Sequence, residues 1–186
     1  KRKISRFPFV TIVIPAYNEE KNIVETVNSV LSLNYPKESY EIIVVDDGSK
    51  DNTFNVINDY IKNKDTNVKL MHQSNSGKGS ALNNALRKSR GEFFVCLDAD
   101  STIDKDALVK MLPHFESSNK IAVVLPLMKI RYPTTKLQKL QWCEYLLNFF
   151  YKSLMSVVDC VHVAPGPFSV YRKSVLVEVG GFREGH

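Results

Sequence analysis

The sequence predicts an α/β domain built on a mostly parallel sheet with helices on both faces. Three observations carry this. Short, β-branched apolar runs alternate with segments whose apolar residues recur at helical spacing. The runs are near-continuously apolar, as strands covered on both sides are. Polar clusters rich in Asp, Asn and Gly follow the runs at the same end each time.

Each element has its own warrant. Val10 to Pro15 is an apolar strand, and a helix is expected from about Glu20 to Ser32, with Ile23, Val27, Val30 and Leu31 on one face. Tyr40 to Asp46 is a second strand, followed by a helix from about Asn52 to Lys62. Val68 to Gln73 precedes a helix from about Ser80 to Ser89, and Glu92 to Asp98 precedes one from Asp104 to about Glu116. Ile121 to Leu125 is a fifth strand. Thr134 to Val158 reads as a long helix with Leu140, Leu147, Phe150, Leu154 and Val158 in a stripe that Leu146, Phe149 and Met155 widen.

Composition bounds the function classes. The 186 residues suit one good-sized domain with ample apolar content for a core. With 25 basic and 20 acidic residues the net charge is a mild +5, concentrated at Lys1, Arg2, Lys3 and Arg6, and no nucleic-acid partner is expected. Cys96, Cys143 and Cys160 show neither disulfide nor metal-pair spacing, which suggests a reducing compartment. There is no signal-peptide pattern and no uninterrupted apolar run long enough to span a bilayer.

The polar clusters share one topological address. Ala16-Tyr17-Asn18-Glu19 follows the first strand and Asp46-Asp47-Gly48-Ser49 ends the second. Ser74-Asn75-Ser76-Gly77-Lys78-Gly79 follows the third, and Asp98-Ala99-Asp100 ends the fourth. In a parallel sheet all four lie along the carboxyl edge, where open α/β sheets bind ligands. Asp98 and Asp100, one residue apart on an extended backbone, point the same way and suit a hard divalent cation that shares its shell with phosphate oxygens. Asp104-Lys105-Asp106 repeats the pattern but opens an apolar-periodic stretch, so it reads as a helix cap.

The other clusters leave alternatives open. Asp47 suits a base N–H or ribose hydroxyl, and it equally suits capping of the helix that follows, together with Ser49. A phospho-acceptor receiver is excluded because Met71-His72-Gln73 offers no aspartate. The glycine-flanked Lys78 at a helix start favours anions but lacks the Ser or Thr and the glycine spacing of a P-loop. His72, His114, His162 and His186 are scattered, and only His162, near Pro165-Gly166-Pro167-Phe168, is a candidate to face a second substrate.

Ile14-Pro15-Ala16-Tyr17-Asn18-Glu19, Val44-Val45-Asp46-Asp47-Gly48-Ser49, Gly77-Lys78-Gly79-Ser80-Ala81-Leu82-Asn83 and Leu97-Asp98-Ala99-Asp100 resemble, in order, the motifs of family 2 glycosyltransferases. The resemblance runs from about Thr11 to Phe182. It implies a GT-A fold with a Rossmann-like sheet, a basic segment over 1–9, a nucleotide-binding half over 10–126 and an incomplete acceptor-side half over 127–186. It also implies an inverting enzyme that moves a sugar from a nucleotide-sugar donor, usually a UDP-sugar, to a glycan or lipid-linked acceptor.

By the same resemblance, Pro15, Ala16, Tyr17, Asn18 and Glu19 would wall the nucleotide pocket, and Asp47 would bind the base. Lys78 would lie by the nucleotide, Asp98 would contact ribose or diphosphate, and Asp100 would bind Mg²⁺ or Mn²⁺. Gly166, Pro167 and Phe168 would border the acceptor, the alternative for Gly166 to Arg172 being a turn that enters a strand. The family's acidic base is expected beyond His186, and Glu184 does not match its place. A non-catalytic nucleotide-sugar-binding module, or a fragment inactive for want of the base, is the alternative. A sugar nucleotidyltransferase is excluded by the acidic loop after the first strand. Trp142, Tyr145 and Tyr151 with Lys136, Lys139 and Lys152 suit the long helix to a membrane surface, and packing on the sheet or on a missing carboxyl-terminal part is the equal alternative. With the basic start read as the flank of a transmembrane helix, the expected location is the cytoplasmic face of a membrane.

Overall fold

The computed structural model describes residues 4–64, 67–128, 133–158 and 167–185. Six strands form one sheet: β1 Val10–Ala16, β2 Tyr40–Asp46, β3 Val68–His72, β4 Phe93–Cys96, β5 Val123–Val124 and β6 Ser169–Arg172. Their order is β3-β2-β1-β4-β6-β5. The first four are parallel, with Val10 opposite both Tyr40 and Phe93, whereas β6 runs antiparallel to β4 and to β5. Chain order reverses between β1 and β4. That is the switch point where such sheets open a crevice at their carboxyl ends.

The helices are α1 Ile23–Leu31, α2 Thr53–Lys62, α3 Lys78–Lys88, α4 Ala107–Met111, α5 Pro113–Glu116, α6 Lys136–Val157 and α7 Lys173–Glu178. Strand alternation sends Ile12, Ile14, Ile42, Val44 and Val95 to one face, against Ile23, Val27 and Val30 of α1, Ile57 of α2 and Leu108 of α4. Val13, Ile43, Val45, Phe94 and Cys96 go to the other, against Ala81, Leu82, Ala85 and Leu86 of α3. Each fully buried aliphatic side chain contributes about 1.5–3 kcal/mol. The doubly covered sheet is what holds the carboxyl-edge loops in register.

Several boundaries differ from expectation for identifiable reasons. The helix expected over 104–116 is two helices, because Pro113 has no N–H to donate and starts α5 as its first residue. Helix α1 begins three residues late, since Glu19 and Glu20 are tied to the loop before α2. Strand β5 has two residues, so only the middle of Ile121 to Leu125 pairs. Helix α7 carries too little apolar periodicity to be read from sequence, whereas β6 follows a turn at Pro167 and Phe168, as the reading of that segment as a turn entering a strand expects.

Candidate functional site

The β1 loop is built onto the β2 loop. Asp47 N–H donates to Ala16 O at 2.9 Å. Asn18 sits at φ 57°, a left-handed conformation that Asn tolerates better than most residues. Ser49 Oγ accepts from its N–H at 3.0 Å, and its Oδ1 accepts from Lys50 N–H at 2.8 Å. Glu19 N–H donates to Thr53 Oγ1 at 2.8 Å. Pro15 and Ala16 lie at the strand end, while Tyr17 and Asn18 are exposed.

Asp47 resolves an ambiguity left by the sequence. It does not cap α2, whose start has no side-chain cap. Its Oδ1 accepts from Gln73 Nε2 at 2.8 Å and Ser76 N–H at 2.9 Å, and its Oδ2 accepts from Gly77 N–H at 2.9 Å. The residue is only 4% exposed. These amides belong to the loop expected to cradle an anion, and Asp47 takes two of them as an internal anion at the start of α3. Gln73 is fixed in turn by Asn84 Nδ2, which donates to its Oε1 at 3.0 Å. Gly48 closes the corner at φ +69°, where a Cβ would meet Asn75 N at 2.6 Å.

Beside Asp47, Asp46 is fully buried. Its Oδ2 pairs with His72 Nδ1 at 2.8 Å, while its Oδ1 has no hydrogen-bond partner among the described residues. His72 also makes an edge contact with Phe54, the ring centroids 5.5 Å apart.

Lys78 and Asp98 meet directly, Lys78 Nζ donating to Asp98 Oδ1. Burial pulls the ammonium down, but the bond to Asp98 and the nearby charge of Asp100 outweigh it, and its pKa lies above the usual lysine value. Ala99 is tucked inward, with Thr26 Oγ1 of α1 donating to its carbonyl at 2.7 Å. Asp98 is therefore half-buried and Asp100 exposed, the latter touched by Ser101 Oγ at 3.3 Å. Beneath them burial pushes the Cys96 thiol up to about 12, so it stays neutral.

Asp98 and Asp100 supply two carboxylates, and among the described residues no cluster of three metal-ligating side chains occurs. That donor set fits a cation completed by phosphate oxygens better than a cation caged by protein alone. The second Asp-x-Asp is consumed locally. Asp104 Oδ1 accepts from Asp106 N–H and from Lys110 Nζ, each at 2.9 Å, and Asp106 Oδ1 from Asn34 Nδ2 at 2.5 Å.

Of the segment expected to border an acceptor, Gly166 lies outside the described residues, as does His162. Pro167 is half-buried, and Phe168, at φ 52°, is 3% exposed within the core. Phe168 packs into the main core cluster just before β6. Sequence reading overlooked Gln73, Asn83 and Asn84 as polar side chains serving these loops. The available signal was Asn83, a polar residue on the same helical face as Leu86.

Residues 11–180 match the family model "Glycosyl transferase family 2". The chain belongs to that family. Poly-beta-1,6-N-acetyl-D-glucosamine synthase of Staphylococcus epidermidis is 36% identical over 172 residues, 92% of this chain. The Staphylococcus aureus synthase is 34% identical over the same length. The chain spans 41% of the length of either relative. Among solved structures, S. aureus TarS 1-349 in complex with UDP-GlcNAc superposes with a TM-score of 0.69 at 26% identity, over 95% of this chain and 49% of that one. Mannosyltransferase PcManGT of Pyrobaculum calidifontis, in complex with GDP-Man and Mn2+, gives 0.73 at 24% identity over 96% of this chain and 48% of that one. The fold of this family 2 member is therefore GT-A.

Proposed function

We propose that this family 2 domain transfers a sugar from a UDP-sugar, with the help of a divalent cation, to a growing glycan or lipid-linked acceptor. The observation that carries the reading is the meeting of Lys78 and Asp98 beside Asp100 at the switch point, next to a loop held by Asp47. N-Acetylglucosamine is the sugar that the relatives' names and the TarS complex support.

Each residue has a task in this reading. The Ala16–Glu19 and Asp46–Ser49 loops hold the nucleoside, with Asp47 fixing the shape of that wall. Lys78 balances negative charge on the departing diphosphate, and Asp98 keeps its ammonium in place. Asp98 and Asp100 would hold the cation, which when bound supplies further electrostatic stabilisation of that leaving group. A general base removing the acceptor hydroxyl proton contributes about 10²–10⁴-fold.

Membrane association is part of the same reading. Among the described residues no helix is long and apolar enough to cross a membrane. Helix α6 supports a surface contact instead, because none of its residues is buried. We place the working domain at the cytoplasmic face of a membrane.

Calorimetric titration with UDP and GDP, each with and without Mn²⁺, tests the donor reading. Binding that prefers UDP and strengthens with Mn²⁺ is expected. Binding of neither nucleotide, or equal binding of UDP with and without the metal, overturns it.

A further inference from the structure

Helix α3 starts with donor-side machinery and, about a turn and a half on, holds a different part of the chain. Asn83 Nδ2 donates to Phe182 O at 2.8 Å and to Glu184 Oε1 at 2.7 Å, while its Oδ1 accepts from Phe182 N–H at 2.8 Å. Asn83 is 7% exposed. A buried amide is costly unless its hydrogen-bonding capacity is met, and here both ends are met by one short segment.

The surroundings are cut to admit that segment. A Cβ on Gly79 would stand 2.2 Å from Arg183 O and 3.5 Å from Glu184 Cα. A Cβ on Gly181, which lies at φ +87°, would stand 2.5 Å from Asn83 Oδ1. Phe182 packs beside Phe94 and Tyr171, with ring centroids 5.8 and 5.6 Å away. Gly181–Glu184 is thus fastened along the helix whose first residue is Lys78. Nothing in the packing of α3 alone calls for an amide here, since the neighbouring Leu82 and Leu86 are apolar.

We propose that Asn83 is a positioning residue that locks Gly181–Glu184 to α3, fixing that segment beside Gly79 at the Lys78–Asp98 end of the site. This rests on the donor-site reading above. The lock serves transfer and leaves nucleotide binding to the loops already described.

Asn83→Asp keeps the size and the acceptor for Phe182 N–H but loses both donations and faces Glu184 with a second carboxylate. Adding Glu184→Gln reverses that hydrogen bond and removes the repulsion. Hydrogen exchange at Phe182 N–H, UDP affinity, and kcat and KM in the protein of full natural length are the readouts. Expected in Asn83→Asp are faster Phe182 exchange, UDP affinity within about twofold of the parent, and kcat lowered about tenfold or more with donor KM little changed. Glu184→Gln in that background restores most of the exchange protection and rate. Unchanged kcat, a fall in UDP affinity matching the fall in kcat, or no rescue by Glu184→Gln overturns the proposal. Failure of the parent to bind UDP overturns the donor reading instead, and Phe182 exchange then still decides whether the lock exists.

Discussion

Asp100 and Asp47 are both acidic, both at strand ends and both in Asp-rich motifs, yet their surroundings give them opposite sensitivities. Asp100 is exposed, and Ser101 Oγ touches it at the long distance of 3.3 Å. Asp100→Ala is therefore expected to leave the melting temperature unchanged and to abolish the effect of Mn²⁺ on UDP affinity. Calorimetry of the variant with and without the metal checks this, and a persisting Mn²⁺ effect refutes the metal assignment. Asp47 is buried and accepts three hydrogen bonds from the loop before α3. In Asp47→Asn one oxygen becomes a donor facing a donor. Stability should fall by about 1–3 kcal/mol, and UDP affinity should fall with it because the loop wall loosens. A thermal melt beside a UDP titration separates this from direct base contact alone, which would lower affinity at constant stability.

At the scale of elements, Glu41 shows how the sheet is tied at the edge opposite the site. Its carboxylate, 2% exposed, accepts from Thr11 Oγ1 and Arg90 N–H through Oε1, and from Lys69 Nζ and Arg90 Nε through Oε2. Burial alone would raise its pKa, but the bonds from Lys69, Arg90 and Thr11 outweigh burial and hold it below the usual 4.5. A depressed folded-state pKa gives stability that is full above the unfolded value and lost as pH falls through the folded one. Melting temperature should thus drop on acidification below about pH 4.5, and Glu41→Gln should flatten that limb while costing about 1–3 kcal/mol at pH 7. Parallel melts from pH 3 to 7 test both.

The elements also show what the sequence could reveal. β1 and β2 were legible as near-continuous apolar runs and α2 because its apolar residues recur at helical spacing, and the carboxyl-edge address of the four polar motifs followed from the strand–helix alternation alone. The partners of Asp47 were not legible, since Gln73, Ser76 and Gly77 come from another loop that only folding brings near. The pairing of Lys78 with Asp98 spans twenty residues and two elements for the same reason. The burial of Phe168 was not legible either, because it depends on how β6 pairs with β4 and β5.

For the molecule as a whole the unresolved demand is the surface of α6. Thr135 and Gln138 form a capping box at its start, so the helix has a defined beginning even without packing. Leu137 is 75% exposed and Val157 82%, and Leu140, Leu147, Phe150 and Leu154 are exposed with them. At 100° per residue, Gln138, Gln141, Asn148, Lys152 and Ser156 fall within an arc of roughly 80°, and apolar side chains dominate the rest. An apolar arc that wide seeks cover. Lys136 and Lys139 lie near the first turn, where they can meet anionic headgroups while the apolar side sinks in. The domain is expected to sediment with vesicles containing phosphatidylglycerol, and to do so less at high salt. Leu147→Glu with Phe150→Glu should abolish sedimentation without lowering the melting temperature, because neither side chain is buried in the domain. If the double variant still sediments, lipid is not what covers this face. If it melts lower, the face packs on protein.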